Sequence, residues 1–114
     1  MRLQDKVAIV TGAGRGNGNA IAVGFAREGA RVIVADFDGS TAEATTREIA
    51  SNGGLATAVR VDVSKRAEVQ SMVDVAVRQH GRIDVLVSNA GVMSRFEFLD
   101  LPEEEWDRII AVNL

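Results

Sequence analysis

Thr11-Gly12-Ala13-Gly14-Arg15-Gly16-Asn17-Gly18 is the segment of this sequence best suited to chemistry. Glycines let backbone approach a ligand closely. N–H groups at a helix start, with the helix dipole, then stabilise the charge of a pyrophosphate. The strict G-x-G-x-x-G spacing is absent, because Asn17 and Asn19 stand where its third glycine would fall; the pattern is T-G-x-x-x-G-x-G. Taken alone, such a cluster also suits a plain tight turn. About 20 residues further on, Asp36 closes an apolar run at the place where an acid accepts hydrogen bonds from adenosine ribose hydroxyls. A carboxylate there also repels a 2′-phosphate. Asp36-Phe37-Asp38-Gly39 is good turn chemistry as well, so a strand-end or helix-capping role for Asp36 stands beside the ribose role.

These residues need strands and helices to position them. Lys6–Thr11 is short, apolar and β-branched, and reads as a buried strand. Ile21, Ala22, Phe25 and Ala26 recur at helical spacing up to Glu28, and Gly29 stops that helix. Arg31–Asp36 reads as a second buried strand, Ser40 opens a helix through about Ala50, and Ala56–Val61 reads as a third strand. Ser64 is the expected N-cap of the next helix, whose stripe is Val69, Met72, Val73, Ala76 and Val77 and whose end is His80-Gly81. Asp84–Asn89 reads as a fourth strand. Pro102 then suits a first helical position, with Glu103, Glu104 and Glu105 in the turn where the dipole favours acids. Trp106, Ile109, Ile110 and Val112 form the expected buried face of that last helix. The order β-α-β-α-β-α-β-α predicts an α/β fold: a doubly wound, Rossmann-like parallel sheet covered on both faces, with expected strand order 3-2-1-4, over one domain, residues 1–114.

Composition narrows the chemistry. With 114 residues, 46% hydrophobic and 25% charged, the chain has an ordinary globular balance and room for one modest core. It holds no cysteine and one histidine, which leaves no thiolate or His-rich metal site, so no metal is expected. The three glutamates at 103–105 share one helical turn and cannot converge on one ion. A formal charge of −3 gives no footprint for nucleic acid or an anionic membrane. No apolar stretch approaches a membrane span, and Met1–Lys6 has no signal-peptide layout, so the expected location is cytoplasmic. His80 reads as a helix C-terminal residue before Gly81, interacting with the dipole, and Met72 as core. Ser94 and Arg95 read as loop residues able to border a substrate mouth.

Thr11-Gly12-x-x-x-Gly16-x-Gly18, Asp36, Asp62-Val63, Asn89-Ala90-Gly91 and Val112-Asn113-Leu114 together resemble the N-terminal half of a classical short-chain dehydrogenase/reductase. The resemblance covers the whole chain but only about the first half of a typical member. It implies NAD(P)-dependent transfer of a hydride between a nicotinamide and a ketone or secondary alcohol. Gly12, Gly16 and Gly18 would line the pyrophosphate, with the Asn17 backbone N–H retained beside them; Asp36 would bind the adenosine ribose, and Arg15 and Phe37 are further cofactor-binding candidates. Asp62 and Val63 would flank the adenine, while Asn89 ties the central strands and Ala90 and Gly91 leave room for the cofactor. Asn113 matches the asparagine whose backbone carbonyl holds a water in the family's proton relay. Asp36 favours NAD over NADP, although Arg15 stands where NADP-preferring relatives pair a 2′-phosphate. Position 17 is Asn where Ile or Leu is usual, and position 88 is Ser where Asn is commoner.

The resemblance also implies a catalytic serine and a Tyr-x-x-x-Lys that this sequence does not contain. It has no tyrosine, and Lys6 and Lys65 lie outside any such motif. The sequence therefore reads as the cofactor-binding part of a longer oxidoreductase, with a catalytically inactive nucleotide-binding or interaction module as the alternative. The helix holding Trp106 would pack on a second subunit, giving a homodimer or tetramer in the complete enzyme.

Overall fold

The computed structural model describes residues 2–90 and 103–113. Its elements are β1 (Val7–Thr11), α1 (Gly16–Arg27), β2 (Arg31–Asp36), α2 (Gly39–Ser51), β3 (Leu55–Arg60), α3 (Arg66–His80), β4 (Val85–Val87) and α4 (Glu103–Asn113). The four strands form one sheet in the order β3-β2-β1-β4, and every pairing is parallel. This is the doubly wound, Rossmann-like order expected from the sequence. Pro102, Ser94 and Arg95 lie outside the described residues, as does the side chain of Trp106.

Alternation along the strands explains the layering. Ala8, Val10, Val32 and Val34 point to one face and pack with Ala22 and Val23 of α1 and Ala42 and Ile49 of α2. The intervening Ile9, Ile33 and Ala35 point to the other face and meet Met72 and Ala76 of α3. A strand buried on both faces must be apolar at successive positions, which is why β1 and β2 read as unbroken hydrophobic runs. Burying each of these valines and isoleucines contributes about 1.5–3 kcal/mol. The register sets Thr11 beside Ala35, so β1 and β2 finish together at one edge of the sheet.

The structure corrects several local expectations. α1 begins at Gly16, inside the glycine cluster, rather than after it. α2 is capped by Asp38, which accepts from the N–H groups of Ser40 and Thr41, so Ser40 lies inside the helix. Ser64 is not the cap of α3; Lys65 occupies that position, and the Ser64 hydroxyl turns back to Asp62. β4 is only three residues long, and Leu86, paired with Ile9, is 62% exposed, so among the described residues one face of this strand is left open. Ile110 of α4, expected in a buried face, is 40% exposed. His80, by contrast, ends α3 just before the Gly81 cap as expected, and burial and then Arg31 push its pKa down.

Candidate functional site

A cleft of about 580 Å³ opens where β1 separates the strands that run to its two sides. Crevices of this kind, at the carboxyl ends of parallel strands where the order reverses, are where open α/β sheets take ligands. Gly12, Arg15, Asp36, Phe37, Asp62, Val63, Asn89 and Ala90 all line it, so eight residues singled out in the sequence converge on one cavity. Asp38, Val61, Ser64 and Val112 complete its walls. Gly16, Asn17 and Gly18 form the first turn of α1 beside it. Gly91 lies outside the described residues, and of Asn113 only the helical backbone is described.

The loop between β1 and α1 is built for close approach. Gly16 has φ of 62°, and a methyl group placed on it would meet nothing within 4 Å, so the conformation favours glycine while the space beside it is open. Arg15 is the N-cap of α1, in extended conformation, and makes no capping bond from its side chain. An arginine has no acceptor to offer, so the first N–H groups of α1 receive no side-chain cap. No acid stands in the first turn of this helix either. By contrast, α2 carries its Asp38 cap and α3 has Glu68 in its first turn.

Asp36 ends β2 with both carboxylate oxygens engaged. Oδ2 accepts from the Gly14 N–H at 2.8 Å, and Oδ1 accepts from the Asp38 N–H at 2.9 Å. These bonds fix the carboxylate across the cleft wall, and each oxygen keeps a further acceptor position. The sequence reading set a turn role against a ligand role for Asp36; the geometry gives it the first and leaves its remaining lone pairs for the second.

The opposite wall is tied to β1 through Thr11. Its hydroxyl accepts from the N–H groups of Asn89 and Ala90 at 3.0 and 3.1 Å and donates to the Val87 carbonyl at 3.3 Å. The Asn89 side-chain amide donates to the Gly12 carbonyl at 3.3 Å. On the third side, Arg60 stacks over Phe37 with its guanidinium carbon 4.8 Å from the ring centre. Glu68 holds that guanidinium at 2.9 Å and, through the same oxygen, accepts from the Asp62 N–H at 3.0 Å.

Arg60 and Glu68 carry no site role in the sequence analysis, and Thr11 enters it only as the first residue of the glycine motif. Glu68 carried a usable signal: it stands three residues after the Lys65 cap, where an acid reaches back to free N–H groups. The bonds of Thr11 and Arg60 join separate strands and helices, and no local pattern announces them.

Two acids around the cleft are held below the usual carboxylate range. The Ser40 hydroxyl, then the N–H groups of Thr41 and Ser40, depress Asp38; the Ser64 hydroxyl and then its N–H depress Asp62. A folded pKa below the ordinary 3.8 means that these turns contribute stability above that pH and lose it as pH falls through the folded values. Thermal melts from pH 6 to pH 2.5 are expected to steepen downward below about pH 4, and Asp62→Asn should flatten part of that acid limb. An Asp62→Asn acid limb identical to the unsubstituted protein's would remove Asp62 from this account.

Comparison with known proteins fits this geometry. A family model described as short chain dehydrogenase matches residues 6–114. The chain is 43% identical over 110 residues to a "Probable oxidoreductase EphD" of Mycobacterium tuberculosis, covering 96% of this chain and 19% of that protein. It superposes on a hydroxysteroid dehydrogenase from Escherichia coli with a TM-score of 0.93 at 39% identity, covering 99% of this chain and 48% of the other. A metagenomic short-chain oxidoreductase solved in complex with NADP gives a TM-score of 0.93 at 40% identity, over 100% of this chain and 52% of that one. The chain thus spans from about a fifth to about half of the length of these proteins.

Proposed function

This chain belongs to the short chain dehydrogenase family, and on that premise we propose that its cleft binds a nicotinamide dinucleotide, NAD in preference to NADP. The complete protein would be a cytoplasmic oxidoreductase interconverting a ketone and a secondary alcohol. The observation that carries the reading is the Asp36 carboxylate, pinned on the cleft wall by the Gly14 and Asp38 N–H groups. A vicinal diol offers two O–H donors, and a fixed carboxylate with spare lone pairs accepts both without reorganising. Hydrogen bonds to a charged group contribute about 1.5–3 kcal/mol. A phosphate on the same ribose would instead meet that negative charge.

The other residues fit the remaining parts of such a cofactor. Gly12, Gly16 and the uncapped start of α1, with Arg15, Asn17 and Gly18, suit a pyrophosphate. Phe37, Asp62 and Val63 suit the walls of an adenine site and Asn89 and Ala90 line the cleft, and the resemblance gives Ala90 and Gly91 the role of leaving room for the rest of the cofactor. The volume of about 580 Å³ is within the usual range for ligand clefts. When bound, the nicotinamide supplies a hydride acceptor or donor. Proton transfer to the substrate oxygen has no tyrosine to perform it in these 114 residues, so they are assigned cofactor binding and, through the Asn113 carbonyl, the holding of a relay water. A homodimeric or tetrameric assembly of the complete enzyme is part of the proposal.

The relative solved with NADP makes cofactor choice the first thing to measure. Calorimetric titration of the full-length protein is expected to give NADH an affinity at least about tenfold above NADPH, or roughly 1.4 kcal/mol. Equal or tighter NADPH binding overturns the NAD assignment, and binding of neither overturns the site.

A further inference from the structure

We infer that Thr45, oriented by Asn19, is a positioning residue for the phosphate loop, holding the Ala13 and Gly14 carbonyls inward so that the N–H groups of those peptides face outward. The inference rests on the dinucleotide reading above. Thr45 sits in α2, 1% exposed, on the same buried stripe as Ala42 and Ile49. A polar side chain on an apolar stripe needs a partner, and this one finds it 32 residues away in sequence. Its hydroxyl donates to the Ala13 carbonyl at 2.9 Å, with the Gly14 carbonyl at 3.2 Å from the same oxygen.

A trans peptide sets its carbonyl and its N–H in opposite directions. The peptide whose carbonyl Thr45 holds through Ala13 carries the Gly14 N–H, and that N–H reaches Asp36 Oδ2 at 2.8 Å on the cleft wall. The next peptide, held through the Gly14 carbonyl, carries the Arg15 N–H at the cap of α1. One buried hydroxyl therefore sets the facing of two successive amides at the mouth of the proposed pyrophosphate site.

The direction of the Thr45 proton is itself fixed. The Asn19 amide nitrogen donates to Thr45 Oγ1 at 2.8 Å, which leaves the hydroxyl proton to point at the carbonyls. Asn19 is turned that way by Glu48, whose carboxylate can only accept and takes a hydrogen bond from the same amide at 3.2 Å. The relay runs from Glu48 through Asn19 and Thr45 to the loop, across the contact between α1 and α2.

The test uses the full-length protein and three ligands: NADH, ADP-ribose and adenosine, which has no phosphate. Thr45→Val keeps the shape and removes the hydroxyl. It is expected to weaken NADH and ADP-ribose by about fivefold to twentyfold, while adenosine, affected only through the Gly14 N–H that holds Asp36, loses no more than about threefold. Thr45→Ser restores the hydroxyl and should return ADP-ribose to within about twofold of the unsubstituted protein. Asn19→Ala, at a half-buried position, provides a milder variant should Thr45→Val fail to fold, with a loss of about two- to threefold confined to the phosphate-bearing ligands. Unchanged ADP-ribose affinity in Thr45→Val, or in Asn19→Ala if only that variant folds, overturns the inference. So does an equal loss of adenosine, which marks a general loosening. Failure of the unsubstituted protein to bind ADP-ribose or NADH overturns the dinucleotide reading instead.

Discussion

Alanine at position 18 is expected to destabilise the protein by about 2–3 kcal/mol and to weaken NADH binding more than about thirtyfold. A methyl group there would run into the Gly12 carbonyl oxygen, with the Gly12 carbonyl carbon at 2.7 Å and the Asn89 amide nitrogen at 2.6 Å. Two of these atoms are backbone and cannot swing aside. The third belongs to the amide that bonds the Gly12 carbonyl, so any shift that relieves the clash pulls apart the tie between the ends of β1 and β4. Gly16→Ala makes the contrast. Its added methyl meets nothing, and its cost is the left-handed backbone alone, about 1–2 kcal/mol. Urea unfolding and NADH titration separate them: Gly18→Ala should lose more stability than the left-handed backbone alone costs Gly16→Ala, whose binding loss arises because its methyl enters the open side of the loop. An unfolding midpoint for Gly18→Ala equal to that of the unsubstituted protein would refute the packing argument.

The same contrast explains how much could be read from the sequence. Gly12, Gly16 and Asp36 were legible because their roles are local: a turn, a helix start and the end of an apolar strand. That β1 and β2 lie inside a sheet covered on both faces was legible because they are apolar at the positions such a sheet must bury. Helix starts were less so. Asp38 and Ser40 both suit a cap, and the geometry of the Asp36-Asp38 turn decides for Asp38. Ser64 looked like a cap for α3 until its hydroxyl proved to be taken by Asp62 at 2.6 Å. The residues that hold the site in shape were hidden for a different reason. Thr45, Asn19, Thr11 and Glu68 act through bonds between elements, and the partner of each is fixed only by how helices lie on the sheet. For Thr45, the hydroxyl on the stripe shared with Ala42 and Ile49 is the trace the sequence carries of that arrangement.

Removal of the Asp36 carboxylate is expected to weaken NADH binding by about 30- to 100-fold, and a simple exchange of NAD for NADP preference is not expected to follow. Were Asp36 only a ribose acceptor, Asp36→Ala would lose the diol contacts and relieve the repulsion of a 2′-phosphate, with Arg15 on the same cleft wall to receive it. The carboxylate has a second task, because it holds the Gly14 and Asp38 N–H groups that shape the loop and the turn into α2. Alanine orphans both donors, so NADPH should gain little while NADH loses much. Asp36→Asn separates the two tasks. Its one carbonyl oxygen keeps a single backbone bond and its amide carries no charge, so the NADH loss should be smaller and the two affinities should approach each other. Titration of both cofactors against the three proteins measures this directly. A roughly tenfold gain in NADPH affinity in Asp36→Ala would show that the loop keeps its shape without the carboxylate, and a loss of NADH below about threefold would remove Asp36 from the site. In the proposed site, the carboxylate would discriminate against a 2′-phosphate only while it is held in place. The two backbone N–H groups that hold it would then be as much a part of cofactor selection as its charge.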